Sequence, residues 1–548
     1  MNRKDGYDIA VIGLGPVGCL AALLLAWRGL RVAAVERDPT VYALPRAAVL
    51  DGEIVRALQP TGLADTVAAL LQKTRPGERA GFTNSRREWL FGRDTPDFGL
   101  NGWQPNNFFL QPELEGLLRD QVLAHPNIDA HVPATVTGFT SERDGVTLRL
   151  MPHSVAADGF TDSDANAPGR SPPRLDTREL HARWVIACDG ATSTTRRALG
   201  VDWRSLGYDH DWLVVDAHVR PGHTLGHDTL QVCDPDRLTT FVGTKDPNRR
   251  WEFRLLPGET RAQMLEPARI RSLIETWTPP GSYDVVRAAV YRFHAATVSQ
   301  WRVGRILLAG DAAHQTPPFL GQGMNTGMRD AVNLSWKLPL VISGMCSERL
   351  LDTYQSERQA HAEDLIDWAV SLGRLMEHLA DVERATRVGQ APPASPQGLQ
   401  SSGYGQGRGM PRLKAGVLDQ PQADSETGIG HLFAQPIVRD ADGRECRLDD
   451  LLGSGFALVG THDGALALSD NNLALLQRLG GRRVSLAGIT PIRGRFDRIF
   501  RAADAVLVRP DRYIFGHTGP GEHGSGRTAD AVLDALAATL HLSSSDKR

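Results

Sequence analysis

Three stretches of the 548-residue chain combine residue types and spacings suited to holding a nucleotide cofactor. The first is Gly13-Leu14-Gly15-Pro16-Val17-Gly18, with Glu36 and Arg37 further on. Gly13 permits a tight turn, Gly15 lets the backbone approach a pyrophosphate, and Gly18 allows a helix to pack closely on a strand. The N-terminus of the helix that follows attracts phosphates, and Glu36 can accept hydrogen bonds from an adenosine ribose. This pattern implies dinucleotide binding and leaves NAD and FAD both open. The second stretch is Cys188-Asp189-Gly190-Ala191, where Asp189 either faces a ligand or simply caps the next helix. The third is the run from Arg305 to His314, in which a hydrophobic segment delivers Asp311 to the carboxyl edge of a sheet, where ligands bind in open α/β folds. A carboxylate there can accept a hydrogen bond from a polyol such as ribityl. Pro317 and Pro318 then stiffen the chain, and Gly321-Gln322-Gly323 offers bare backbone N–H groups. A helix from about Asn325 points its positive end at the same place, which suits the anionic edge of a reduced flavin ring.

These residues need a scaffold, and the flanking pattern supplies one. Residues 7–12 read as a buried strand, 17–28 as a helix ended by Gly29, and 31–35 as a second strand, one βαβ unit at the head of the chain. The segments 184–188 and 305–309 are expected in the same parallel sheet. Between them, 213–219, 229–233, 238–243 and 250–256 are short runs separated by Pro, Gly and Asp, which predict an antiparallel meander with one amphipathic helix near 268–277. Residues 158–174 read as a surface loop. After Asp311 a long helical stretch, broken near Pro339, runs to about Arg387. Trp336, Leu338 and Leu340 within it read as core packing. The expected class is α/β: a Rossmann-type FAD-binding domain over 1–200 and 296–389, an inserted antiparallel-sheet substrate domain over 201–295, a linker over 390–428, and a thioredoxin-like α/β domain over 429–548. A chain of this length suits two or three domains of ~100–200 residues each.

Composition narrows the function classes. Hydrophobic residues at 41% and charged residues at 23% are ordinary globular values. A formal charge of −3 gives no electrostatic reason to expect nucleic acid or an anionic membrane as partner, so the partner is expected to be a small molecule. The five cysteines stand singly, with no CxxC and no metal-ligand spacing, which argues against a disulfide framework, a zinc site or an iron–sulfur centre. The N-terminus passes directly into a strand-like run without a signal-peptide pattern. The apolar stretch from Cys19 to Ala26 is far short of the ~20 residues that span a bilayer. A cytoplasmic enzyme is the expectation.

Together with PRAAVLDGE, QPELE and RRWEFRLLPGE, the stretches DIAVIGLGPVG, ACDGATSTTRR and GRILLAGDAAHQTPPFLGQGMNTGMRDAVNLSWKL resemble the class A flavoprotein aromatic hydroxylases, the family of 4-hydroxybenzoate and phenol hydroxylases. The resemblance implies FAD at Gly13, Gly15, Gly18 and Glu36, with Pro16, Val17 and Arg37 in the same motifs. It implies Arg46 and Gln111 along the cofactor, the alternative for Arg46 being an exposed salt bridge. Asp311 would meet the ribityl chain, and Pro318, Gly321, Gly323, Met324 and Asn325 would lie against or beside the isoalloxazine. Asp189 would lie near FAD and the transient reductant, NADH or NADPH, for which the chain holds no second GxGxxG. In such enzymes dioxygen adds to the reduced flavin, and the resulting C4a-hydroperoxide hydroxylates an electron-rich ring. The implied substrate is a phenol, 3-(3-hydroxyphenyl)propionate or a related phenolic acid, hydroxylated ortho to its hydroxyl. A polycyclic aromatic natural product is the alternative within the family, and a non-catalytic flavoprotein interaction module the alternative outside it. The lack of a WxWxIP segment argues against a flavin-dependent halogenase.

The catalytic acid or base is not singled out. His314 takes a direct role or a structural one. Asp51 and Tyr208 could help ionise a phenol, or serve as a cap and a core aromatic. Arg220, Arg237, Arg250 and Arg254 are unranked candidates to grip a substrate carboxylate. The C-terminal domain resembles the thioredoxin-like tail of larger family members. With Cys446 standing alone, packing or homodimerisation is its expected role rather than dithiol chemistry.

Overall fold

The computed structural model describes residues 6–44, 46–75, 77–152, 177–395, 410–419, 428–519 and 526–543. The surface loop expected over 158–174 and most of the linker expected over 390–428 lie outside the described residues.

Tyr7–Ile12 runs parallel to Val32–Val35 on one side and to Arg178–Ala187 on the other. Ile128–His131 and Ile306–Leu308 extend this parallel sheet at either end. Its central strands are short runs of buried Val, Ile, Ala and Leu because both faces are covered. The helix Pro16–Trp27 is buried continuously from Gly18 to Ala26. It has no polar face because it lies in one core with the C-terminal residues Phe456, Leu476 and Leu533 as well as with the sheet.

The helix Gly323–Ile342 runs through Pro339 and ends beyond it, and Asp352–Arg387 follows. The break expected at Pro339 thus falls at 343–347. Proline removes one N–H near the helix end, and Ser343 N–H still bonds the Pro339 carbonyl at 2.9 Å.

A second sheet has the order His314–Gln315, Tyr283–Val298, Trp203–Val219, Asn248–Arg254, Thr239–Val242, Thr229–Val232, Arg79–Thr83 and Trp89–Asp94. The meander expected from the sequence forms its middle. Its far edge takes in two strands from much earlier in the chain, and Arg79–Thr83 pairs with Thr229–Val232 in parallel. The alternation of strand side chains divides Asn248–Arg254 cleanly. Trp251 and Phe253 join Leu213, Val215 and Ile270 in a core beneath the helix Pro267–Ile274. Arg250, Glu252 and Arg254 therefore share the opposite face, in register with Asp216, Val214 and Trp212.

In the C-terminal part, Arg482–Ser485, Ala457–Gly460, Ala505–Val508 and Ile514–His517 lie side by side in that order. The first pair is parallel and the other two are antiparallel, the thioredoxin-like arrangement. Buried charges bolt this unit to the rest. Arg56 grips Asp449 through two nitrogens at 2.8 and 2.7 Å, and Arg512 reaches the same carboxylate at 3.0 Å. Among the described residues no helix is long and apolar enough to cross a membrane.

Candidate active site

A cavity of about 1270 Å³ lies between the parallel sheet and the open face of the second sheet. Gly15, Pro16 and Val17 line it from the glycine turn, and Arg46 and Gln111 from the segments beside it. Asp311, Pro318, Gly321, Gly323 and Met324 line it from the third stretch singled out in the sequence.

The glycines divide into two kinds. Gly13 has φ +93°, and a Cβ there would meet the Cys188 carbonyl oxygen at 2.6 Å. A Cβ on Gly18 would lie 1.8 Å from the Gly13 carbonyl oxygen. These two make the turn possible and do not line the cavity. At Gly15 and Gly323, by contrast, a Cβ would have nothing within 4 Å and would stand in the cavity itself. Such bare backbone is what a bulky flat cofactor and its pyrophosphate require.

Asp311 is open to this space, and among the described residues no hydrogen bond or ion pair claims its carboxylate. Burial in the surrounding protein raises its pKa, against the pull of His314 and Arg46. An unclaimed acceptor deep in a cavity fits a polyol chain. Glu36 accepts from the N–H groups of Leu14 at 2.6 Å and Asp38 at 2.8 Å, so it also locks the glycine turn. A carboxylate has lone pairs to spare for a ribose beyond those two bonds. Gln111 accepts from Ala47 N–H at 2.9 Å and fixes the segment that leads from Arg46 into the strand Val49–Asp51. Asn325 is fully buried behind Gly321; it donates to the Gly321 and Val49 carbonyls at 3.0 and 3.1 Å and accepts from Asp51 N–H. It braces the loop rather than lining the cavity. These features fit FAD.

Three expected residues point elsewhere. Arg37 is on the surface beside Asp38. Asp189 accepts from the Ser193 hydroxyl at 2.5 Å and Thr195 N–H at 3.0 Å, the helix-capping alternative. His314 is 1% exposed, bonded to Asp330 at 2.8 Å and stacked on Trp301. Asp330 also accepts from Gly310 N–H at 3.0 Å and from Arg358 at 2.9 Å, so His314 belongs to the brace under the Asp311 turn.

Tyr208 packs edge-on to Phe319 and His210 and does not line the cavity. Burial pushes its phenol far up, so it stays protonated. Asp51 does reach the cavity, but its carboxylate is held by Arg329 at 2.5 Å and Gln322 at 3.1 Å.

The second sheet contributes what the motifs did not reveal. Of the four arginines considered for a substrate carboxylate, Arg220 pairs with Asp284, Arg237 with Glu259 and Arg254 with Glu377, all outside the cavity lining. Arg250 lines it, bonded to Asp216 at 2.7 Å and to the Arg46 carbonyl at 2.5 Å. Arg287 approaches the same Asp216 at 3.5 Å. Two guanidinium groups thus share one carboxylate, so this cluster carries net positive charge, and Arg250 is its member in the cavity lining. Glu252, next on that face, also lines the cavity. Burial pushes its carboxyl up to about 7, with Arg250 pulling down and Asp216 pushing up. Strict alternation through RRWEFR was the available signal for this pair, but which face looked onto a cavity depends on strands far away in sequence.

A family model described as "FAD binding domain" matches residues 6–369, and one described as "HcaD C-terminal domain" matches 430–536. A 3-(3-hydroxy-phenyl)propionate/3-hydroxycinnamic acid hydroxylase of Klebsiella pneumoniae (strain 342) is 31% identical over 565 residues, covering 98% of this chain and 96% of that one. The hydroxylase of the same name from Escherichia coli (strain K12) is 31% identical over 570 residues, covering 99% and 96%. Among solved structures, a complex of aklavinone-11 hydroxylase with FAD and aklavinone superposes with a TM-score of 0.74 at 24% identity, covering 98% of this chain and 100% of that one.

Proposed function

Because the chain belongs to the FAD-binding-domain family and is an FAD-dependent aromatic hydroxylase, we propose that it hydroxylates a phenolic acid ortho to its hydroxyl, using NAD(P)H and dioxygen. The proposed substrate is 3-(3-hydroxyphenyl)propionate or a close relative, in line with what the similar hydroxylases are named for.

When bound, FAD would supply the redox chemistry: it takes electrons from the nicotinamide and activates dioxygen toward an electron-rich ring. Asp311, Gln111 and the bare backbone at Gly15, Gly321 and Gly323 would hold it. The rest is done by this chain's own residues. The two sheets wall a shared cavity, and Arg250, whose Nε and Nη2 hold Asp216, brings its positive charge to the lining, where an anionic substrate tail would meet it. The observation that carries the reading is this continuity, in which one cavity joins the Asp311 cradle to the charged face of the second sheet.

The test is a panel of phenols with and without carboxylate tails, scored by stimulated NADH or NADPH oxidation and by product mass. The expected result is stimulation by 3-(3-hydroxyphenyl)propionate with one dioxygen consumed per catechol. Stimulation and hydroxylation by a polycyclic phenol alone would overturn the substrate assignment.

A further inference from the structure

We propose that Glu252 accepts the proton of the substrate's ring hydroxyl, so that the cavity selects phenols able to donate a hydrogen bond at that point. The inference rests on the hydroxylase reading above and names the residue that meets the reacting end of its substrate.

Glu252 lies mid-strand on the cavity face of Asn248–Arg254 and is only 4% exposed. Its same-face neighbours are both engaged, Arg250 by Asp216 and Arg254 by Glu377 and His210. Glu252 has no hydrogen bond or ion pair among the described residues. The strands on either side supply none: it is in register with Val214 on one and Thr240 on the other. The Thr240 hydroxyl is already given to Gln231 at 2.7 Å. A buried carboxyl without a donor costs free energy unless a ligand provides one.

Its place in the cavity suits a ring hydroxyl. Trp212, one step along the neighbouring strand, packs against Phe319 with ring centres 5.5 Å apart. Phe319 belongs to the 318–324 segment that lines the cofactor side of the cavity. Glu252 therefore stands between that segment and Arg250. Two positions on one strand face are roughly 7 Å apart, room for a carboxylate tail to lie beside the Arg250 charge while Glu252 meets the ring hydroxyl. The reverse placement would set a substrate carboxylate against a carboxylate.

The charged and titratable groups around it are Arg250 and Arg254 on its own strand, Asp216 and Tyr208 on Trp203–Val219, Arg287 on Tyr283–Val298, and Arg46 on the segment above. Within this set its carboxyl titrates near neutrality, where a general base is most effective. In the step, the phenolic O–H bond breaks and an O–H bond forms on the Glu252 carboxylate. The electron pair stays on the phenolic oxygen, which enriches the ortho carbon. One negative charge passes from carboxylate to phenolate, and the Arg250–Asp216–Arg287 cluster keeps it in a positive surrounding. The proton leaves to solvent after product release.

The experiment compares wild type, Glu252→Gln and Glu252→Asp, each with FAD content verified by absorbance. The first readout needs no turnover: the visible phenolate band of bound 4-nitrophenol is titrated without NAD(P)H. Wild type should ionise the probe in two coupled steps straddling pH 7, and Glu252→Gln in one. The second readout is the pH profile of kcat with the best phenol. Wild type should rise to a plateau near pH 7. Glu252→Gln should lose roughly 100-fold at pH 7 and recover toward pH ~10 as the phenol ionises by itself. Glu252→Asp should lie between them. An identical one-step titration in wild type and Glu252→Gln, or a kcat loss equal at every pH, overturns the proposal. A wild type that no phenol stimulates overturns the hydroxylase reading instead, and the nitrophenol titration then still decides the role of Glu252.

Discussion

Arg509 donates to the Glu357 carboxylate at 2.7 Å across 152 positions of sequence, with both side chains fully buried. Lys337 reaches the same carboxylate at 2.8 Å and Asp511 pairs with Arg509 at 2.6 Å. The cluster joins both long helices of the cofactor domain to the C-terminal unit. Burial alone would raise the Glu357 pKa, but Arg509 and Lys337 overcome it and hold the group at about 2.

A pH dependence of stability follows. The folded value lies below the ordinary 4.5, so the stability this group contributes is complete above about pH 4.5 and is lost as pH falls toward 2. Glu357→Gln should cost about 3–5 kcal/mol at neutral pH, because it leaves the buried Lys337 without its carboxylate and Arg509 with Asp511 alone. Urea midpoints with saturating FAD should converge for wild type and variant as pH drops from 5 to 3. A constant gap across that range would show that the charge of Glu357 is not what holds the units together.

The two kinds of glycine predict opposite failures. Gly15→Ala should fold with normal thermal stability but bind FAD poorly, because its Cβ meets only the cavity. Gly18→Ala should fail to fold stably, since its Cβ falls 1.8 Å from the Gly13 carbonyl oxygen. Asp311→Ala should weaken FAD binding by ~1–3 kcal/mol while leaving the apoprotein intact. Flavin fluorescence on reconstitution and apoprotein melting curves separate the three. A Gly15→Ala protein that takes up FAD normally would contradict the pyrophosphate assignment.

The cofactor half of the cavity was legible in the sequence because strand, turn and helix are contiguous there. The Gly13–Gly18 turn and the Asp311 stretch carry their own context, and the parallel sheet assembles as their spacing implies. The substrate half was not legible, because its face is made by pairing strands such as Arg79–Thr83 and Thr229–Val232, which lie far apart in the chain. His314 and Tyr208 have the right chemistry, but their directions are set by distant packing partners, Asp330 and Phe319. Residue type and proximity to a motif could not show that the side chain turns away from the cavity.

Cys446 is half-buried on the C-terminal three-stranded sheet, and burial raises its thiol pKa. A lone cysteine with little thiolate cannot run a dithiol cycle. Cys446→Ser should therefore leave both turnover and FAD content unchanged. Loss of hydroxylation with FAD retained would assign the C-terminal unit a redox role.

Arg250 offers the sharpest test of substrate class. Its guanidinium holds Asp216 and the Arg46 carbonyl, so it is fixed in the wall before any ligand arrives. Arg287 remains beside Asp216 at 3.5 Å, so Arg250→Met leaves that carboxylate with a cation and should not unfold the sheet. What it removes is the positive charge that Arg250 brings to the cavity lining. For a phenolic acid, loss of a charge-assisted bond of ~1.5–3 kcal/mol should raise KM by roughly 10- to 150-fold. A phenol without a carboxylate tail gains nothing from that charge, so its KM should change by less than about threefold. Arg250→Lys should recover only part of the loss, since an ammonium keeps the charge but cannot hold Asp216 through two nitrogens as the guanidinium does. Steady-state oxidation of NADH with matched acid and non-acid phenols reads the difference directly. Equal effects on both substrates would mean that Arg250 only supports the sheet, and that the anionic tail, if the substrate has one, is held elsewhere.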